Sequence, residues 1–243
     1  MWLTRFSLAL ALIAATVTSS LAQHAGDVEF EYDLGKIKIE GGSASFIFAD
    51  QYFEATLGTT GLLDGFTGDP GFEAHDPIGP GDVIGFKLHA GHNGNFLHFF
   101  EKSSNTLLSS HGGILNIDVA GPGSLDLTQT SGGSGLIGEA PGNGEFHSHL
   151  DFLLTNRGSA NHGAYGFLMS LTTNATGVGE SDPFWIFLNY GMDPTAFDAG
   201  IASITAVPEP STIVLVSMAA CGFAWKRRRM RSRKVYLNGN DNC

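Results

Sequence analysis

The sequence predicts an all-β fold: a single sandwich or jelly-roll-like domain, preceded by a signal peptide and followed by a short hydrophobic sorting helix. Three observations carry this. Glycine supplies 33 of 243 residues, and clusters of Gly, Asn, Asp and Pro recur about every 8 to 15 residues. Between them lie short apolar or alternating segments of strand length. No stretch of the body keeps a helical period over three turns.

The elements follow in order. Val28-Glu29-Phe30-Glu31-Tyr32 alternates with period two, and Lys36-Ile37-Lys38-Ile39-Glu40 repeats the pattern after Asp33-Leu34-Gly35. Two alternating runs across so short a turn form a hairpin. Further strands are expected at 45–49, 83–88, 96–100, 114–119, 124–129, 147–153, 163–172 and 183–190. Tight turns are expected at Asn93-Gly94, Gly112-Gly113 and Gly132-Gly133. Two segments read as long loops, 62–81 and 131–144, the first a candidate binding surface and the second a flexible connector.

Both ends read as targeting segments. Residues 1–23 combine Arg5, the apolar stretch 6–17 and a small-residue site at Leu21-Ala22-Gln23, the pattern of a secretory signal peptide cut by signal peptidase. At the other end, Pro208, Glu209 and Pro210 precede an apolar run to Trp225 and a basic cluster with Arg227, Arg228 and Arg229. The prolines keep the chain extended, as a protease cleft requires. The apolar run is short of the ~20 residues that span a bilayer, and the arginines should stay cytoplasmic. The domain boundaries are therefore 24–206 for the exported body, 207–234 for the anchor and 235–243 for a short tail. This tail resembles the PEP-CTERM sorting signal of Gram-negative bacteria. The resemblance implies a membrane-anchored precursor, processing by an exosortase-type membrane protease, and release to the cell surface or extracellular matrix, often alongside exopolysaccharide. Residues 235–243 extend past the point where the family pattern stops.

Charge narrows the functions. The whole chain carries −11, but the body holds five basic residues against 22 acidic ones, a net −17. That opposes nucleic-acid binding, which needs a basic footprint, and suits a soluble exported domain or one that gathers cations. The two cysteines, Cys221 and Cys243, lie in the tail, so the body has neither disulfide nor thiolate site.

All nine histidines belong to the body. His147 and His149, at i and i+2, share one face of a strand, and Asp151 continues that row; together they offer nitrogen and oxygen donors suited to zinc. His24 and His162 are possible partners. His89, His92 and His98 sit in a Gly/Asn-rich segment, in which His89 and His92 read as loop residues; His75 and His111 read as surface residues. The segments His24-Ala25-Gly26-Asp27-Val28, Phe146-His147-Ser148-His149-Leu150-Asp151-Phe152 and Gly163-Ala164-Tyr165 resemble a group of surface-anchored proteins repressed by the zinc-uptake regulator, some with the same tail. That resemblance implies extracellular zinc binding through His24, His147 and His149, with Asp151 carried over more weakly. It departs from the group at Asn156-Arg157-Gly158 and at Gly26.

No nucleophile elbow, phosphate loop, dinucleotide fingerprint or His-Glu-x-x-His occurs, so no enzyme is expected. The expected function is an exported surface or matrix protein with a histidine-centred zinc site. The alternatives are a structural or adhesive matrix component, or a carbohydrate-binding module using Trp185, Tyr190 and Tyr165 if exposed.

Overall fold

A computed structural model describes residues 26–44, 51–91, 94–156 and 162–205. The chain divides into two compact units, 1–205 and 206–243. The second, with the Pro-Glu-Pro triplet, apolar run and arginines, lies outside the described residues, as do the signal segment and His24.

In chain order the strands are β1 (Val28–Asp33), β2 (Lys36–Glu40), β3 (Ser43–Ala44), β4 (Gln51–Thr56), β5 (Phe66–Thr67), β6 (Gly71–Ala74), β7 (Val83–His89) and β8 (Leu97–Glu101). They continue as β9 (Thr106–Leu107), β10 (Ile114–Asp118), β11 (Ser124–Thr128), β12 (Ser134–Glu139), β13 (His147–His149), β14 (Asp151–Asn156), β15 (Gly163–Thr173) and β16 (Phe184–Tyr190). One α-helix, α1 (Pro194–Thr205), follows. The β-rich class is therefore as the sequence predicts.

The first hairpin forms where alternation places it. Phe30 pairs with Ile39 and Tyr32 with Ile37 in antiparallel register, so the apolar positions share the inward face and the charged ones the outward face. Leu34 (φ 48°) and Gly35 (φ 78°) make the turn, a two-residue connection in which both residues are left-handed. Leucine is poorly suited to that region, and at 99% exposure it gains no packing in return. Leu34→Asn should raise stability by about 1 kcal/mol. A urea midpoint that stays put or falls would show that the turn carries no such strain.

Three sheets result. The first has the order β13-β6-β1-β2, the second β11-β10-β14-β5, and the third is eight-stranded along β12-β7-β15-β16-β4-β3. The long strand β15 makes the third sheet branch: Leu168–Thr173 pairs with β7 and Gly163–Phe167 with β8, which in turn carries β9. Phe30 and Phe72 from the first sheet, Leu115 and Phe152 from the second, and Phe86 and Phe167 from the third belong to one apolar core. A second, smaller cluster packs Phe197, Ile201 and Ile204 of α1 against Phe100, Ala164 and Phe187.

Several expectations are corrected. The segment 131–144 is not a free connector, because its centre is β12, paired with β7. The segment 62–81 contains β5 and β6 and a short 3-10 turn at Gly61–Leu63. The body does contain a helix. Asp193 caps α1, its Oδ1 accepting the Ala196 N–H at 3.0 Å, and Pro194 occupies the first helical position, as helix starts favour. Its buried Phe197, Gly200, Ile201 and Ile204 stand at i, i+3, i+4 and i+7, the spacing of an amphipathic helix, although only three of them are large. The strand expected at 45–49 and the turn residue Asn93 fall outside the described residues. No described helix is long and apolar enough to cross a membrane.

Candidate metal centre

The His147–His149 segment departs most from expectation. A single strand over 147–153 would have carried His147, His149 and Asp151 in one row. Instead, the chain changes sheets at Leu150. β13 pairs with β6 in the first sheet, while β14 pairs with β10 and β5 in the second. In and out still alternate, with Phe146, Leu150 and Phe152 buried and His147, His149 and Asp151 outward. Only the pairing partner changes. Asp151 is not among the side chains that converge with the histidines.

Asp27 converges with them instead. Donor atoms of Asp27, His147 and His149 lie within 4.8 Å of one another. β6 brings them together. Antiparallel pairing sets Gly71 opposite His149 and Glu73 opposite His147, while parallel pairing with β1 sets Val28 opposite Phe72. Asp27, just before β1, therefore sits beside Gly71, whose N–H donates to Asp27 Oδ1 at 2.9 Å. Ser148, between the histidines, points the other way and donates to the Ile137 carbonyl of β12 at 2.9 Å, which anchors β13.

The hydrogen bonds define the chemistry. His149 Nδ1 lies 2.7 Å from the Gly68 carbonyl. A carbonyl only accepts, so that nitrogen carries the proton and, in the neutral ring, Nε2 presents a lone pair. A backbone carbonyl on the far nitrogen is how metal-ligating histidines are commonly oriented. His147 Nε2 lies 2.9 Å from His149 Nε2, and its Nδ1 is 3.7 Å from Glu73 Oε2. The other Asp27 oxygen, Oδ2, is buried with no hydrogen-bond partner, on a residue only 8% exposed. A buried carboxylate oxygen without a partner is costly. A divalent cation between the three side chains would offset the charge of this buried carboxylate and replace the proton between the rings. Two metal–nitrogen bonds of about 2.05 Å at a tetrahedral angle separate their nitrogens by roughly 3.3 Å, so the rings would need to open by a few tenths of an ångström.

The site has a narrow floor. A Cβ on Gly71 would stand 2.7 Å from His149 Cε1 and 2.9 Å from Asp27 Oδ1. Gly71→Ala should displace the His149 ring and weaken metal binding by at least about tenfold, the scale of an orienting-shell change, while circular dichroism stays β-type. Unchanged zinc affinity would mean that the ring position is not needed.

The other histidines have structural surroundings. His89 ends β7 and is not a loop residue; its Nε2 lies 2.7 Å from Ser170 Oγ and 3.2 Å from Glu180 Oε1. Ser170 donates to Glu180 through a short hydrogen bond, which, with Lys87 and His89 nearby, holds that carboxyl below the usual range. Ser170 is fully buried and gives its proton to the carboxylate, so this trio is an ion network and lacks the geometry of a nucleophile and base. His98 lies in β8, buried and edge-on to Trp185. His75 remains half exposed near Glu40, and His162 packs edge-on against Tyr190. His92 falls outside the described residues.

His111 is not a surface residue. Its Nε2 donates to the Leu97 carbonyl at 3.0 Å and its Nδ1 accepts the Gly113 N–H at 3.3 Å. Burial pushes its pKa below the ordinary imidazole value. The neutral ring is thus the folded form, and its stabilisation is lost as pH falls through the unfolded value near 6.5 and protonation of Nδ1 breaks the Gly113 bond. His111→Gln should flatten the stability loss between about pH 7 and 5; an unchanged slope in urea melts would assign that loss elsewhere.

The sugar-stacking candidates are unavailable. Tyr165, Trp185 and Tyr190 are at most 4% exposed.

Comparison with known proteins bears on the tail. The PEP-CTERM protein-sorting motif matches residues 206–229. No curated protein and no solved structure matches the chain. The chain thus carries a PEP-CTERM sorting signal, the feature of an exported protein handled by an exosortase, and the matched residues include Pro208, Glu209, Pro210 and Arg227 to Arg229.

Proposed function

We propose that this is an exported β-sheet protein, cut by signal peptidase and by an exosortase-type protease, that holds zinc at the cell surface or in the extracellular matrix through Asp27, His147 and His149. The single observation behind the metal is the convergence of a carboxylate oxygen of Asp27 and the ring nitrogens of His147 and His149 within 4.8 Å of one another, on an aspartate whose Oδ2 is buried without a hydrogen-bond partner. The donor set, two nitrogens and one oxygen, suits zinc among the available divalent ions. The strongly acidic body favours cation capture by raising the local concentration of counter-ions. Asp27 takes the place in the donor set first assigned to Asp151.

The test is metal analysis of the full chain purified in detergent, with melting before and after chelation. Stoichiometric zinc and a chelator-induced fall in Tm support the reading. A metal-free protein whose melt ignores added zinc would leave a structural or adhesive surface protein.

A further inference from the structure

We infer that the metal centre at Asp27, His147 and His149 keeps a coordination position open to an external donor, and that the donor is a neutral one, a nitrogen or hydroxyl oxygen rather than an anion. This rests on the metal reading above. Among the described residues only three side chains converge, whereas closed structural zinc sites use four protein ligands and open ones three. The centre also lies at the surface. Both histidine side chains are 38% exposed, and β13 is the terminal strand of its sheet among the described residues, with the histidines on its outward face.

Charge sets the class of ligand. Asp27 contributes one negative charge inside the centre. Two further carboxylates stand next to the outer ring nitrogens: Glu73 Oε2 at 3.7 Å from His147 Nδ1 and Asp69 Oδ1 at 3.9 Å from His149 Nδ1. Three carboxylates against one divalent cation leave the surroundings net negative. An incoming anion is then repelled at short range, while a neutral donor is not. Water would hold the position at rest, and an imidazole, an amine or a sugar hydroxyl could replace it. Such a site exchanges ligands and metal with its surroundings instead of locking the metal into the fold.

Cobalt(II) loaded into the full chain in detergent gives the readout, because its visible absorption reports coordination. The expected result is cobalt binding with a spectrum that changes on adding imidazole and is far less sensitive to azide. Cobalt binding with a spectrum indifferent to both ligands overturns the open position, and leaves the metal reading standing with a closed site. An azide response as strong as that to imidazole overturns the neutral-donor preference. Failure to bind cobalt or zinc sinks the metal reading itself, and this inference with it. A second variant isolates the charge argument: Asp69→Asn combined with Glu73→Gln should strengthen azide binding by roughly threefold or more. Unchanged azide affinity in that variant would also overturn the assignment.

Discussion

His147→Ala combined with His149→Ala should abolish zinc-dependent stabilisation. Zinc at about 100 times its Kd stabilises a protein that binds it only when folded by ~2.7 kcal/mol, or roughly 5–10 °C in Tm for a domain of this size. The double variant loses both imidazoles that converge with Asp27. Its melt in chelator should differ little from that of the parent, since both side chains are well exposed and exposed substitutions usually change stability by less than ~0.5 kcal/mol. Added zinc should then produce no shift. A zinc-induced rise equal to the parent's would remove the histidines from the centre.

Phe72→Ala should cost the most stability of any change near the site. Phe72 is fully buried at the middle of β6, between Gly71 and Glu73, and it packs in the core shared by all three sheets. Truncating a buried phenylalanine removes its transfer energy and leaves a cavity, together about 3–5 kcal/mol. That lowers Tm by roughly 6–20 °C. Because β6 holds both β1 and β13 in register, zinc affinity should fall along with stability. Phe72→Leu fills most of the space and should keep the zinc response. A small loss for Phe72→Ala, below about 1 kcal/mol in urea melts, would mean that β6 does not tie the sheet to the core.

What was legible in the sequence was local. The β1–β2 hairpin shows in two alternating runs and a two-residue turn, and β7, β8, β10, β11, β15 and β16 show in short apolar runs between turn formers. These signals involve neighbours in the chain, so period and turn chemistry suffice to reveal them. The helix α1 announced itself only through Asp193-Pro194. Glycine, alanine, serine and threonine dilute its apolar face to three large residues. The strand β12 was hidden because Ser134, Gly135 and Gly138 weaken the strand pattern.

The site divides along the same line. Its histidine pair is local: residues i and i+2 of a strand share a face whatever that strand pairs with. The third converging side chain is not. Asp27 lies 120 positions before His147 and reaches it only because β6 pairs parallel to β1 and antiparallel to β13. Asp151, two residues beyond His149, looked the better candidate on periodicity alone, yet the chain changes pairing partners at Leu150 and Asp151 is not in the converging group.

By itself, the sequence determined the β-rich class, the first hairpin, the histidine pair and the sorting tail, because each is written in adjacent residues or in a motif read as a linear segment. Tertiary structure alone decided the parallel pairings of β1 with β6 and β4 with β16, the change of sheet at Leu150, the burial of Tyr165, Trp185 and Tyr190, and the convergence of Asp27 on the histidine pair. Strand partners are selected by burial against distant segments. A period-two pattern fixes which face of a strand is apolar and leaves open which strand lies beside it.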